Sequence, residues 1–308
     1  MATVIVFGPT GNNGSVAAQT AHQHGAKVWL AMRDPEKAIP GLTPEAEKAG
    51  NYSRVQADLS KPDTVAAAVK TSGATRAFIY VAQGTKDHMK ATAEALKASG
   101  IEFVVLLSSY TVGDTPPAEV QPSEIIPYAH ARLEVTLDEV FGPDGYVAVR
   151  PGAFATNLLR QKAGIIAGDV KMYGAGFKID CITPTDMGAV IGTILAKGPQ
   201  DGQRKVFLYG PQILSQKQAL EIIGDVLGKE IKVSSVDADA ALADYLSKGA
   251  PKPMAEFFIR ALGDTDPALE DASWLVNFKE GQDNIVKYTG RPATTFREWV
   301  EANKKLFT

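Results

Sequence analysis

The sequence predicts an α/β protein: a doubly wound parallel sheet joined to a small, mainly helical C-terminal substrate unit. Three observations lead there. Through the first 150 residues, short runs rich in Val, Ile and Phe alternate with helical segments, the order that builds strand–helix–strand units. The strand-like runs lack polar alternation, the mark of strands covered on both faces. A glycine-rich turn at residues 8–14 falls directly between the first strand and the first helix.

Taken in order, the expected strands are 3–7, 27–31, 53–57, 76–81, 102–107 and 146–149. Helices are expected over 15–24, 61–70, 88–99 and 128–141. Beyond Arg150 a helix over 185–196 precedes a strand over 204–209 (RKVFLY) that returns to the sheet. Ser215 is an N-cap for a helix over 215–227, and Gly228 closes it. The last helix starts near Thr295. The expected division is one unit of residues 1–152 plus about 180–210, and a cap of residues 153–179 plus 211–308.

Composition narrows the function classes. The 32 Lys and Arg against 35 Asp and Glu give a net charge of −3, without the basic excess of a nucleic-acid binder. The single cysteine, Cys181, allows no internal disulfide and suits a reducing compartment. It has no basic neighbour in sequence and reads as a buried small residue. The densest apolar run, FVVLL at 103–107, is far short of the ~20 residues of a membrane span. MATVIVFGPTG has no basic leader and reads as a first strand. With four His and one Cys, no His/Cys zinc site is expected. The expectation is a cytoplasmic protein with a small-molecule substrate, as monomer or homodimer, without a nucleic-acid, membrane or metal partner.

The strongest local signal is Gly8-Pro-Thr10-Gly11-Asn12-Asn13-Gly14. Its glycines permit a tight turn and a close backbone approach to a pyrophosphate, and the helix N-terminus offers free N–H groups. The selector for the adenosine ribose follows the second strand. There the sequence reads Arg33-Asp34-Pro35-Glu36-Lys37, with Arg33 19 residues after Gly14. A guanidinium at that place pairs with a 2′-phosphate, and Lys37 adds charge, whereas Asp34 stands one residue late for an NAD-type acid. The expected cofactor is therefore NADP(H). Asp58 and Leu59 after the third strand fall near adenine, and Gln83 after the fourth flanks the cofactor.

These residues together resemble the NmrA-like, atypical short-chain dehydrogenase/reductase family, with an NADP-binding Rossmann fold. The matching elements are GPTGNNG, MRDPEK, ADLSKPDTV, LLSSYTVG, VRPGAFATNLL, ITPTDMGAVIG and YTGRPATTFREWVE, spread over nearly the whole chain. The resemblance implies NADP(H) and leaves the reaction open. Members include reductases of quinones, azo compounds, enones and imines, as well as cofactor-binding regulators. The expected activity is NADPH-dependent hydride transfer to a small conjugated substrate. The alternatives are a non-catalytic NADP(H) sensor and a biosynthetic isomerase or cyclase.

The short-chain dehydrogenase pattern pairs a Ser after the fifth strand with Tyr-x-x-x-Lys on the next helix. Ser108 and Ser109 occupy the first place, and Tyr128-Ala-His130-Ala-Arg132-Leu-Glu134 the second. The lysine is absent, and an arginine whose pKa exceeds ~12 is a poor proton relay. At about 100° per residue, Tyr128 and Arg132 share a face, while His130 lies ~160° from Tyr128. Two registers therefore stand: Tyr128 with Arg132, or His130 with Glu134 as in His-x-x-x-Glu relatives. A solvent-exposed His130–Glu134 pair is the bland reading of the second. Ser108 and Arg132 are expected to reach the cofactor as well. Tyr110, Phe154, Asn157 and Tyr173 are the expected substrate wall.

Overall fold

The structure, a computed structural model, describes residues 2–263 and 277–308. Its elements in chain order begin with β1 (Thr3–Phe7), α1 (Asn12–Gln23), β2 (Lys27–Met32), α2 (Pro44–Ala49), β3 (Ser53–Gln56), α3 (Pro62–Ser72), β4 (Arg76–Tyr80), α4 (Lys90–Ala98), β5 (Phe103–Leu107), α5 (Ile125–Phe141) and β6 (Tyr146–Pro151). They continue with α6 (Lys162–Ala167), β7 (Asp169–Met172), β8 (Lys178–Ile179), α7 (Pro184–Lys197), β9 (Lys205–Leu208), β10 (Leu214–Ser215), α8 (Gln216–Leu227) and β11 (Lys232–Ser235). The last are α9 (Ala238–Ser247), α10 (Lys252–Leu262), α11 (Phe278–Thr289) and α12 (Phe296–Ala302).

The main sheet has the order β3-β2-β1-β4-β5-β6-β9, and every pairing in it is parallel. The chain winds outward from β1 to β3, then restarts on the other side of β1. The switch point between β1 and β4 opens a crevice at the C-terminal strand ends, where ligands of such sheets bind.

Both faces of the sheet are covered, as the missing polar alternation predicts. Val4 and Val6 join one core with Ala17, Ala18 and Ala21 of α1 and Val190, Ile191 and Ile194 of α7. Ile5 and Phe7 join the opposite core with α3, α4 and α5, through Val65, Leu96 and Leu133. A third core lies away from the sheet and unites Leu158, Ile165, Val170, Leu220, Ile223, Trp299 and Phe307. Helix α11 belongs with the sheet, since Ile285 and Tyr288 enter the first core. The C-terminal half also carries two small sheets, β8 with antiparallel β10 and β7 with parallel β11, so it is less purely helical than its sequence suggests.

Two of the late motifs are structural. Thr183 caps α7, and the fully buried Asp186 accepts from Thr183 Oγ1 (2.9 Å), from the Thr294 N–H (2.9 Å) and from Thr294 Oγ1 (3.1 Å). Arg291 Nη1 completes its ring of partners at 2.7 Å. ITPTDMG and GRPATTF thus close on each other and fix α7. Glycines then let α7 sit tightly on α1: a Cβ on Gly192 would meet the Ala17 carbonyl oxygen at 2.5 Å and Thr20 Cβ at 2.6 Å. Gly192→Ala is expected to cost about 1–3 kcal/mol by overpacking, read as a lower urea midpoint. An unchanged midpoint would show that α1 and α7 separate freely.

Candidate cofactor and catalytic site

The first turn of α1 is built to face an anion. Its N-cap, Gly11, supplies no side-chain cap, and the turn holds no acidic residue, so N–H groups and the positive dipole end stay available. Gly8 has φ +73°, a conformation glycine adopts without strain. The tight turn is held by the Gly11 N–H donating to the Gly8 carbonyl at 3.1 Å. A Cβ on Gly14 would collide with that same carbonyl, so helix and strand approach only because Gly14 has none. Asn13 Oδ1 is buried without a hydrogen-bond partner among the described residues, which calls for a donor from a ligand or water there. Thr10 and Asn12 complete the turn, Asn12 exposed and Thr10 half-buried.

At the end of β2, Arg33 is exposed, and its guanidinium makes no hydrogen bond or ion pair among the described residues. Asp34 is also exposed, and its Oδ1 accepts the Glu36 N–H at 3.0 Å. Lys37 is exposed, and its carbonyl accepts from Arg54 Nη1 at 2.9 Å. Arg54 also bonds the Pro35 carbonyl and pairs with Glu47 of α2. The loop that presents Arg33 is therefore pinned from β3, a support the sequence did not reveal. Asp58 accepts from Ser60 N–H and Oγ at 2.9 and 2.7 Å, which holds its carboxyl below the usual range, and Arg33 adds to that. Leu59 points its side chain into the core instead. Gln83 is exposed on the β4–α4 connection.

The catalytic candidates on α5 divide. Tyr128 lies edge-on to His88, ring centroids 5.5 Å apart. One turn on, Arg132 has a buried Nε without a partner. His130 Nδ1 bonds the Ile126 carbonyl at 2.8 Å; burial lowers its pKa, so the ring is neutral at pH 7. Glu134 is only 1% exposed, contrary to the solvent-exposed pair that its spacing from His130 suggests. The reason is Arg150, 0% exposed on β6. Arg150 Nε and Nη2 donate to the two Glu134 oxygens at 3.0 and 2.5 Å, and Nη1 to the Gly113 carbonyl at 2.7 Å. Ser108 Oγ donates to Glu134 Oε1 at 2.6 Å. The serine proton is thus committed to a carboxylate, and no hydrogen bond joins Ser108 to Tyr128.

The substrate-wall residues also divide. Phe154 bridges to Ile182 beside the end of β6, and Tyr110 stands edge-on to Tyr209 at 6.0 Å. Asn157 is exposed on the turn Ala155–Gln161. Tyr173 lies apart in the cap, its hydroxyl 3.1 Å from where a Gly263 Cβ would be. Sequence reasoning missed Asp180, 3% exposed, which accepts the N–H groups of Ala153 at 2.6 Å and Gly210 at 2.8 Å. It clasps the ends of β6 and β9 together. Burial pushes its carboxyl up to about 7 against those hydrogen bonds. Burial and Asp180 together push the Tyr110 phenol up to about 12. Cys181 is fully buried and its thiol pKa raised by burial, in keeping with a packing role.

A glycine-rich turn at a helix N-terminus, placed at the switch point of a parallel sheet, has the form of a dinucleotide site. The comparisons carry this further: the chain belongs to the NAD(P)H-binding family, whose model matches residues 8–197, and within it the chain is NmrA-like. It is 33% identical to the nitrogen metabolite regulation-like protein bik4 of Gibberella fujikuroi, over 97% of this chain and 95% of that one. It is 25% identical to the (4-alkanoyl-5-oxo-2,5-dihydrofuran-3-yl)methyl phosphate reductase of Streptomyces griseus, over 99% of both chains. The fold matches an NADPH-dependent quinone oxidoreductase of Escherichia coli complexed with NADPH, with TM-score 0.71 and 19% identity over 98% of this chain and 99% of that one. No helix among the described residues is long and apolar enough to cross a membrane.

Two outcomes test this geometry. Glu134→Gln breaks a buried pair and leaves Arg150 uncompensated, so a loss of about 3–5 kcal/mol is expected in chemical denaturation; a loss below 1 kcal/mol would show the pair to be dispensable. For Asp180 the folded pKa lies above the unfolded one, so its ionisation opposes folding. That contribution is absent below about pH 4 and grows as pH rises towards 7. Asp180→Asn should therefore gain stability relative to wild type between pH 5 and pH 8. A pH-independent difference would contradict the shift.

Proposed function

We propose that the protein binds NADP(H) and reduces a small conjugated organic substrate of the quinone, enone or imine type. The observation that carries the cofactor choice is the end of β2, where the exposed Arg33 guanidinium makes no hydrogen bond or ion pair among the described residues while one oxygen of the neighbouring Asp34 accepts the Glu36 N–H of its own turn. An acid free to accept a ribose 2′-OH is the NAD arrangement; an unpaired guanidinium fits a 2′-phosphate. When bound, the cofactor supplies hydride. The chain's own residues do the rest. The α1 N-terminal N–H groups hold the pyrophosphate side, Arg132 presents a fixed positive charge on α5, and Phe154 with Tyr110 offers an apolar, aromatic wall. Tyr128 is the proton donor of the reading, its hydroxyl engaged by no group among the described residues.

The substrate class follows from what is missing. With no lysine beside Tyr128 and with Ser108 bonded to Glu134, the assembly that protonates a simple ketone is incomplete. Conjugated acceptors spread the charge left by hydride and need less proton assistance. The same commitment of Ser108 favours one second reading, a cofactor-binding regulator, which the likeness to a nitrogen metabolite regulation-like protein also supports.

Arg33→Ala is expected to raise the NADPH dissociation constant about tenfold or more, since a hydrogen bond to a charged group is worth ~1.5–3 kcal/mol, and to leave NADH nearly unchanged. Equal losses for both cofactors in a fluorescence titration would overturn the 2′-phosphate assignment. For the reaction, NADPH consumption is followed with a panel of quinones, enones and imines. Turnover that slows in Tyr128→Phe supports the reductase with Tyr128 as donor. Tight NADPH binding without consumption of any of them would select the regulator.

A further inference from the structure

The C-terminal end of β4 carries an aromatic ring that the glycine loop and the β2 cations leave unexplained. Ala77, Phe78 and Ile79 are buried in the middle of the sheet, yet Tyr80 directly after them is 38% exposed. Its ring nevertheless lies against the phosphate loop. A Cβ on Gly8 would meet Tyr80 Cε1 at 2.7 Å and the phenol oxygen at 3.0 Å. Since β4 neighbours β1 at the switch point, the ring covers the turn that begins the cofactor crevice. Arg33 and Asp58, from the ends of β2 and β3 on the far side of β1, both act on the phenol: burial raises its pKa most, Arg33 lowers it and Asp58 raises it. The side chain thus reaches from β4 over Gly8 towards the cation at the end of β2.

We propose that Tyr80 is a specificity-determining residue for the phosphorylated cofactor, its hydroxyl donating to the adenosine 2′-phosphate that Arg33 neutralises. The assignment rests on the NADP(H) reading above and adds a second kind of contact to it. Arg33 supplies charge from a flexible, exposed stem. Tyr80 supplies a neutral donor on a rigid ring held in place by the backbone of Gly8. A phosphate has acceptor oxygens for both, whereas a ribose hydroxyl in NADH gains little from the phenol.

The test compares wild type with Tyr80→Phe, which keeps the ring on Gly8 and removes only the hydroxyl. NADPH, NADH, 2′,5′-ADP and 5′-AMP are titrated by calorimetry, and thermal melting confirms the fold. The expected result is a dissociation constant about fivefold or more higher for NADPH and 2′,5′-ADP, with NADH and 5′-AMP unchanged. An unchanged NADPH constant, or equal losses for phosphorylated and unphosphorylated ligands, overturns the assignment. The two readings fail separately. If wild type binds neither dinucleotide, or binds both alike, the NADP(H) reading falls and Tyr80 with it. If wild type prefers NADPH and Tyr80→Phe does too, to the same degree, only the role of Tyr80 falls.

Discussion

The junction of β5, α5 and β6 is organised around one buried ion pair, Arg150 with Glu134. Taking two charges out of water costs several kcal/mol each unless hydrogen bonds replace the lost hydration. Here they do. The guanidinium donates to both carboxylate oxygens and to the Gly113 carbonyl, and the carboxylate also accepts a hydrogen bond from the Ser108 hydroxyl. Four segments meet at this point: the end of β5, the loop after it, the middle of α5 and the last residues of β6. The pair also fixes the rotation of α5. With Glu134 turned inward, His130 lies only ~40° from it around the helix and Tyr128 ~120° away. His130 Nδ1 is bonded to its own helix's Ile126 carbonyl, and Tyr128 lies on a different side of the helix.

The other end of the crevice is organised by the absence of such pairing. The α1 N-terminus has no side-chain cap, and among the described residues Asn13 has a buried oxygen without a hydrogen bond and the Arg33 guanidinium makes no hydrogen bond or ion pair. The α1 N–H groups and the Arg33 guanidinium suit an anionic ligand, while the buried Asn13 oxygen asks for a donor such as a ligand hydroxyl or water. The surroundings are correspondingly firm. Arg54 ties the Arg33 loop to β3 and α2, and Asp186 ties α7, the helix packed on α1, to the chain near Thr294. Rigid supports hold unsatisfied groups in place, which lowers the ordering cost when a ligand arrives.

Most of the sheet was legible because its signals are local. The strands of the first 150 residues read from apolar runs, the turn at Gly8–Gly14 from its glycines, and the start of α8 from Ser215, whose capping box with Gln218 is present. Thr295 likewise caps α12 with Glu298. What the sequence hid depends on distant partners. Glu134 has the spacing of a solvent-exposed helical pair with His130, and only Arg150, 16 residues on, draws it inside. Asp180 is one acid in an unremarkable stretch until β6 and β9 present two N–H groups to it. Tyr80 reads as an ordinary aromatic strand residue; its place over Gly8 follows from β4 being the strand beside β1, which is a fact of topology. Helix α2 was missed although its signals, Thr43 as cap and Pro44 in the first turn, are local: six residues are too few for a periodic pattern to show.

The supply of protons bears on the proposed chemistry. Around the strand ends, Tyr110 is a poor acid because burial and Asp180 push its phenol up to about 12, and Tyr209 is raised further by the same causes. His130 is neutral and bonded to its own helix. The Ser108 hydroxyl is engaged as a donor to the Glu134 carboxylate, and Arg132 holds its own protons too tightly to release them. Asp180 alone among these lies near neutrality, but both of its oxygens are occupied by backbone N–H groups. A substrate whose reduction demanded immediate protonation of an alkoxide would be badly served by this set. One that stores the added charge over a conjugated system, and takes its proton from Tyr128 or water afterwards, would not. The buried pair that fixes α5 thus also narrows what the proposed reductase can reduce, because the Ser108 hydroxyl is held to the Glu134 carboxylate.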